Sequence, residues 1–418
     1  MSNRSGQNCH FAWATALSAI VFGAASALAG LSAAAQYVIH VSVDGLNARM
    51  MQNEVDAGRA PTFKRLEAEA AWTANARTDF THTITLPDHV CMLTGRPVLK
   101  PAGMPDTVYH GVTLNDGGPH GATLHNQGNP HNLYMASVFD VVHDAGLSTG
   151  LYVSKDKFVI FKQSYDETNG ATGPHGRNKI DNYFFQDDGA PTYSAGMNQR
   201  FLTDMAAHHF NYAFIHYRDT DSAGHSFGWG SGTYQQAVAA VDGYLTDVLH
   251  LVETDATLSD HTTLIVSTDH GGLGTTHSDP TLQEDFTIPL FVWGAGVSPG
   301  DLYAINSQTR ADPHDTRPDY NAASQPIRNG DTGNLALSLL GLGPIPGSLI
   351  NAHQDLRVAL VGDYNHDGHV DAADYTIWQD TKGSTTDLRA DGNGDGVVDQ
   401  LDYDLWKADF NATAAAKR

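Results

Sequence analysis

Three places in the chain set an acid, alone or with a histidine, just past an apolar run rich in β-branched residues. They are Asp44 after Tyr37–Val43, Asp221 with His225 after Tyr212–Tyr217, and Asp269 with His270 after Thr262–Ser267. Carboxylate and imidazole together are ligands for divalent ions, and a mixed Asp/His set suits zinc, with manganese or iron accepting the same ligand types. One such aspartate reads equally well as a turn residue or helix cap. Three of them point to a metal site. Residues 81–96, THTITLPDHVCMLTGR, add a hydroxyl. Pro87 suits the first position of a helix and Gly95 the residue just past its end, which puts Thr85 just outside a helix N-terminus. Free backbone N–H groups and the helix dipole there favour an anion or a developing alkoxide. A threonine hydroxyl becomes a useful nucleophile only when a base or metal withdraws its proton. Two ions about 4 Å apart can also clamp the attacking and leaving oxygens of a phosphoryl transfer.

The elements that must carry these residues follow from periodicity. Strand-like runs at Tyr37–Val43, Thr149–Val153, Tyr212–Tyr217, Thr262–Ser267 and 286–293 alternate with helical patterns at 60–71, 137–145, 235–252 and 334–342. That alternation predicts an α/β fold with a mostly parallel sheet covered by helices on both faces. In such sheets ligands bind beyond the carboxyl ends of the strands, where the acids stand. Within DSAGH (221–225), Gly224 is expected to allow a close turn. Residues 101–132 and 166–193, rich in Gly, Asn, His and Asp, read as loops or a small cap over the site.

Composition narrows the function. The chain of 418 residues is 41% hydrophobic and 17% charged, enough for one large domain and an appendage. Its formal charge of −23 argues against nucleic acid as a partner and suits divalent cations. Arg4 is followed by an uncharged apolar stretch over residues 11–35 that ends in small residues. Ala27-Leu28-Ala29 and Ala33-Ala34-Ala35 both offer cleavage patterns, so residues 1–35 read as a secretory signal. The stretch is also long enough to span a bilayer, which leaves an uncleaved anchor as the alternative. After cleavage no membrane span is expected, and the protein would be periplasmic, at the cell surface or extracellular in a bacterium. Cys9 lies in the signal, so Cys91 alone remains and no internal disulfide can form.

With these residues in view, the chain resembles the alkaline phosphatase superfamily and, within it, the nucleotide pyrophosphatase/phosphodiesterase family. The matching pieces are VDGL (43–46), TLPDH (85–89) with LTGR (93–96), HGVTLN (110–115), DSAGH (221–225) and TDHGG (268–272), over residues 38–347. The resemblance implies two zinc ions. Asp44, Asp269 and His270 would hold the one that activates Thr85, and Asp221 and His225 would hold the other. Asn115 aligns with the residue that contacts a phosphoryl oxygen. A further histidine is needed on the second ion: His277 in GGLGTTH is the choice and His314 the reserve. Thr85 would attack phosphorus, giving a covalent phospho-threonine or its ester that water releases. Ile84, Asp88 and Thr220 depart from the Lys, Asn and Pro of many pyrophosphatases, which touches substrate preference and not the ligand set. Cys91 does not fit a sulfatase nucleophile, since that pattern needs Pro at the position of Leu93.

Between Asp363 and Arg418 stand twelve Asp against five Lys or Arg. DYNHDGHVDAAD (363–374) and DGNGDGVVDQLD (391–402) repeat one calcium-loop pattern, with Gly at position 6 where the chain must turn sharply. The candidate calcium ligands are Asp363, Asn365, Asp367, His369, Asp371 and Asp374, then Asp391, Asn393, Asp395, Val397, Asp399 and Asp402, with His369 and Val397 at the position that offers a backbone carbonyl. Asp replaces the usual Glu at position 12. Each loop runs into a short helix bearing Tyr375 and Trp378, or Tyr403 and Trp406. This duplication resembles dockerin modules, which implies two calcium ions and a cohesin-like partner, and the four aromatics are expected mainly to pack the two halves together.

The expectation is therefore a signal (1–35), an α/β catalytic domain (36–358) and a dockerin-like tail (359–412). Hydrolysis of phosphodiester or pyrophosphate bonds in a small phosphate ester or nucleotide leads. A phosphomonoesterase or phosphonate hydrolase on the same site, or a non-catalytic calcium-dependent surface or scaffold protein, are the alternatives.

Overall fold

The computed structural model describes residues 34–365 and 367–413. Apart from Ala34 and Ala35, the signal reading, and Cys9 with it, lies outside the described residues. Eight strands occur among those described: β1 (Tyr37–Val43), β2 (Ala71–Arg77), β3 (Thr149–Val153), β4 (Asn182–Phe185), β5 (Tyr212–Tyr217), β6 (Thr262–Ser267), β7 (Thr287–Gly294) and β8 (Gly300–Asp301). They form one sheet in the order β4-β3-β5-β1-β6-β7-β2-β8. From β4 to β6 all neighbours are parallel, while β7 runs antiparallel to both β6 and β2. The result is the expected mostly parallel sheet with helices on both faces.

β1 shows how the layers are filled. Ile39, Val41 and Val43 point to one side, into a core with Phe63 and Leu66 of the Pro61–Glu69 helix and Val238, Val241 and Leu245 of the Gly232–Thr254 helix. Val38 points to the other side, into a core with Leu86 and Val90 of the Thr85–Thr94 helix and Leu335 of the Thr332–Leu339 helix. Burial on both faces is why the central strands read as apolar runs without alternation. His40 and Ser42, sharing the face of Val38, are the polar exceptions. Both are buried, His40 Nδ1 lying 3.0 Å from the Tyr212 hydroxyl and Ser42 Oγ 2.8 Å from His89 Nε2.

Several local expectations are corrected. The helical pattern at 60–71 ends at Glu69, Ala70 is extended, and β2 begins at Ala71. Its sequence, AWTANAR, lacks an apolar β-branched run, and the ladders from β7 and β8 on either side make it a strand. Gly224 lies inside a helix, Asp219–Phe227, and not at a turn. A Cβ there would come within 2.6 Å of the Trp229 indole, so the glycine serves close packing. Residues 182–185, within a stretch read as loop, form β4 at the sheet edge.

The tail is two loop-helix units. Asp371 and Asp399 cap the helices Ala372–Thr381 and Gln400–Asp409, each accepting from an N–H two residues on at 2.7 Å. The aromatics interleave as expected, with ring centroids 5.1 Å apart for Tyr375 and Trp406 and 5.0 Å for Trp378 and Tyr403. Val358, Leu360 and Val370 join the core of the large sheet, with Trp406 and Ala412 packed against it, and Arg357 pairs with Asp409.

Candidate active site and metal centre

β5, β1 and β6 lie side by side at the middle of the sheet, so their carboxyl ends deliver the three acidic positions to one place. Asp44 directly follows β1, Asp269 and His270 stand two and three residues past β6, and Asp221 and His225 sit one helical turn apart on the Asp219–Phe227 helix that follows β5. Gly45, with φ +72°, turns the chain where a Cβ would meet the Asp221 Cα at 2.9 Å, a position only glycine fills without strain. The Asp221 N–H donates to the Asp44 carbonyl at 2.9 Å, as does the Thr220 hydroxyl, which gives Thr220 a structural use in place of proline.

Each carboxylate is anchored through one oxygen. Asp44 Oδ2 is held by His216 Nε2 (2.9 Å) and Lys155 Nζ (2.6 Å), and Asp221 Oδ2 by the same ammonium (2.6 Å). Asp269 Oδ1 accepts from the N–H groups of Gly45 (3.1 Å) and His270 (2.9 Å). The second oxygens, Asp44 Oδ1, Asp221 Oδ1 and Asp269 Oδ2, are buried without a hydrogen-bond partner, and so is His270 Nε2. Buried polar atoms are ordinarily paired. Here the orphans converge: His270 Nε2 is 3.6 Å from Asp44 Oδ1 and 3.3 Å from Asp269 Oδ2.

The histidines repeat the arrangement. Nδ1 of His225, His270 and His277 faces a backbone carbonyl, of Thr275 (3.0 Å), Gly271 (2.9 Å) and Thr83 (2.6 Å) respectively. That leaves each Nε2 toward the cleft, the orientation in which metal-binding imidazoles are held. His225 Nε2 lies 3.3 Å and His277 Nε2 3.7 Å from Asp221 Oδ1, and the two nitrogens are 3.1 Å apart. Asp44, Asp269 and His270 form one buried group able to hold an ion, and Asp221, His270 and His277 another. The two groups share His270, whose one free Nε2 serves a single ion, and His225 Nε2 beside Asp221 Oδ1 is the further donor that a second ion would use. His277 is buried against His270, ring centroids 3.5 Å apart, whereas His314 is exposed on a loop beside Asp312. His277 thus stands within the cleft and His314 outside it.

Thr85 is the first residue of its helix, not a residue just outside it. The helix begins at Thr85 with Ile84 extended as the cap residue, and Pro87 falls at the third position, where its missing N–H still breaks no helical bond. Gly95 ends the helix in the left-handed conformation as expected, with φ +61°. Asp88 holds the helix entry, its carboxylate accepting from the N–H groups of Asp79 (3.0 Å) and Ile84 (2.9 Å). Burial, then the neighbouring Asp79, pushes the Asp88 carboxyl well above the usual range. Asn115 reaches the helix N-terminus, its side-chain oxygen accepting from Leu86 N–H (3.0 Å) and Lys157 Nζ (3.0 Å).

Burial would raise the Asp44 carboxyl, but Lys155, then His216 and His270, hold it well below its ordinary value. Asp269 is pushed well above by burial and then by Asp44, which together outweigh the pull of Lys155. Burial lowers His270 to about 3 and lowers His277 as well, which keeps both imidazoles neutral and able to donate a lone pair. Lys155, Lys157 and His216 are absent from the sequence-based site. Lys155 stands two residues past β3, so it occupies a fourth strand end, the same signal that marked the acids. His216 lies within YAFIHY and carries no such mark.

A mostly parallel α/β sheet of this kind is the fold that a solved alkaline phosphatase also has. A mutant of the alkaline phosphatase PafA has this fold, with a TM-score of 0.53 at 13% identity over 77% of this chain and 99% of that one. An inactive variant of murine ectonucleotide pyrophosphatase/phosphodiesterase 5 solved with AMP aligns at 14% identity over 77% and 99%, with a TM-score of 0.49. No curated protein matches in sequence. The family model for type I phosphodiesterase / nucleotide pyrophosphatase matches residues 38–334, and the chain belongs to that family of metal-dependent hydrolases.

Proposed function

We propose that the chain is an exported two-metal hydrolase of phosphodiester or pyrophosphate bonds that uses Thr85 as nucleophile. The observation that carries this reading is the set of inward-facing orphans, Asp44 Oδ1, Asp221 Oδ1, Asp269 Oδ2 and His270 Nε2, gathered at the strand ends. Asp44, Asp269 and His270 would hold one ion and Asp221, His225 and His277 the other, as zinc or as manganese or iron. Bound there, the ions supply Lewis acidity toward the phosphoryl oxygens and make the Thr85 proton easier to remove. Thr85 Oγ1 forms a bond to phosphorus as the bond from phosphorus to the leaving oxygen breaks. The positive end of the Thr85–Thr94 helix dipole favours the anion at that position, the Ile84 and Leu86 N–H groups being already taken by Asp88 and Asn115. Asn115, oriented by Leu86 N–H and Lys157, binds a phosphoryl oxygen. Water then attacks from the side the leaving group vacated and frees Thr85. A non-catalytic binding protein is disfavoured because neither a ligand nor the nucleophile is missing.

Lys155 and Lys157 favour a second reading, phosphomonoester hydrolysis. A monoester dianion carries one more negative charge than a diester, and two ammonium groups at the cleft are suited to it. Turnover of bis-p-nitrophenyl phosphate and p-nitrophenyl phosphate by the zinc-loaded protein separates the readings. A faster diester rate supports the first, monoester turnover alone replaces it by the second, and turnover of neither by a zinc-loaded protein contradicts both.

The tail is proposed as a dockerin-like module that takes two calcium ions and docks on a cohesin-like partner. Its two loops share one hydrogen-bond pattern: Asp363 and Asp391 each accept from the N–H of residue 5 at 3.1 Å and of residue 6 at 2.9 Å. Gly368 and Gly396, at φ +83° and +87°, occupy the turn. Together with the apolar N-terminal stretch, the module supports export.

A further inference from the structure

Below the cleft, a buried polar line leads away from Asp44. His216, on β5, is fully buried, its ring packed on Phe158 (centroids 4.4 Å apart) and His89 (5.1 Å). Nε2 lies 2.9 Å from Asp44 Oδ2, and Nδ1 faces the Ser154 hydroxyl at 3.3 Å. Ser154 is itself fixed, accepting from Ser194 Oγ (3.0 Å) and from the Arg218 N–H (3.0 Å) and donating to the His216 carbonyl (2.9 Å). The imidazole is therefore contacted at both nitrogens and packed against two rings. Asp44 Oδ1, on the other side of the same carboxyl, is buried and unpartnered.

We propose that His216 is a positioning residue. Its Nε2–H holds Asp44 Oδ2 so that Oδ1 stays aimed at Asp269 and His270, where a metal ion would sit. The terminal torsion of an aspartate is broad, so a donor fixed behind one oxygen decides where the other points. Lys155 touches the same oxygen but does not replace this function. Its ammonium ends a flexible stem, is shared with Asp221 and sets charge more than direction. Outer groups of this kind are worth about 10–100-fold in metal affinity.

The inference rests on the reading of Asp44, Asp269 and His270 as metal ligands, and the test separates the two. Zinc affinity and stoichiometry are measured by competition with a chromophoric chelator for the wild type, Asp44→Ala, His216→Gln, His216→Asn and His216→Leu, alongside the absorption spectrum of each cobalt-substituted protein. Melting in EDTA identifies any variant that fails to fold. His216→Gln, whose amide can still donate to Oδ2, is expected within about 3-fold of wild type. His216→Leu, with no donor, and His216→Asn, with a shorter one, are expected to lose about 10–100-fold at one of two sites with an altered cobalt spectrum. Should the leucine protein fail to fold, the Gln and Asn pair carries the comparison. Two wild-type zinc sites left unchanged in His216→Asn and His216→Leu, or a loss in His216→Gln as large as in His216→Asn, would overturn the positioning role alone. A wild type without zinc, or Asp44→Ala with wild-type zinc binding, would overturn the ligand reading beneath it.

Discussion

Replacing Lys155 by methionine tests the charge balance of the cleft. Lys155 Nζ lies 2.6 Å from Asp44 Oδ2 and 2.6 Å from Asp221 Oδ2, with only 9% of its side chain exposed. At an effective dielectric near 20, unit charges this close attract by roughly 6 kcal/mol per pair, much of it cancelled by desolvation. Removing one partner of a buried pair leaves the other charge uncompensated and costs roughly 3–5 kcal/mol. Methionine keeps most of the apolar stem, so packing loss is small. In EDTA, urea unfolding of Lys155→Met should therefore show a loss of roughly 3–5 kcal/mol. With zinc saturating, ions on the same carboxylates supply the missing positive charge, and the loss should shrink to about 1–2 kcal/mol. The cycle then requires zinc to bind the mutant more tightly by about 2–3 kcal/mol, roughly 30–150-fold. Tryptophan-monitored unfolding in both conditions and a zinc titration measure all three legs. An equal loss with and without zinc would refute the reasoning, since Lys155 would then be only a packing residue.

Gly224→Ala should lower stability by about 1–3 kcal/mol through overpacking against Trp229 and weaken zinc at the Asp221 and His225 site, read from melting and metal content. Asp285 gives a pH signature, because burial pushes its carboxyl up to about 7 from 3.8. The native state holds that proton more tightly than the unfolded chain, so the stabilisation is complete below pH 4 and is lost as pH rises through about 7, at most roughly 4 kcal/mol. Asp285→Asn should flatten this slope in melting curves taken in EDTA, and an unchanged slope would contradict it. In the tail, calorimetry should count two calcium ions for wild type and one for Asp363→Ala. One millimolar calcium against a Kd near 10 μM would stabilise the module by about 2.7 kcal/mol per site.

The central strands were legible because burial on both faces removes polar residues from them, and β1, β3, β5 and β6 have the bounds read from the sequence. Their ends were legible by repetition: an acid after one apolar run reads as a turn or cap, and its recurrence after three such runs does not. Thr85 and Gly95 were readable from helix-end chemistry, although the helix starts two residues earlier than Pro87 suggested, with Asp88 turning back to satisfy the Ile84 N–H. β2 was not legible, since its strand state comes from β7 and β8 and not from its own residues. Gly224 misled because its lack of a side chain serves the Trp229 ring, a contact set by tertiary packing. His216 and Lys157 were invisible for the same reason, as each acquires its function only from what stands opposite it. His277 needed the family resemblance, and its bond to the Thr83 carbonyl now gives it a physical place two residues from Thr85.

The most direct test compares zinc content and turnover of bis-p-nitrophenyl phosphate for the wild type and Thr85→Ala. Two zinc ions are expected in the wild type, near-normal zinc in the mutant, and a rate lower by about 10³-fold or more, since a nucleophile cannot be partly replaced. A Thr85→Ala protein that keeps both ions and full turnover would contradict the account.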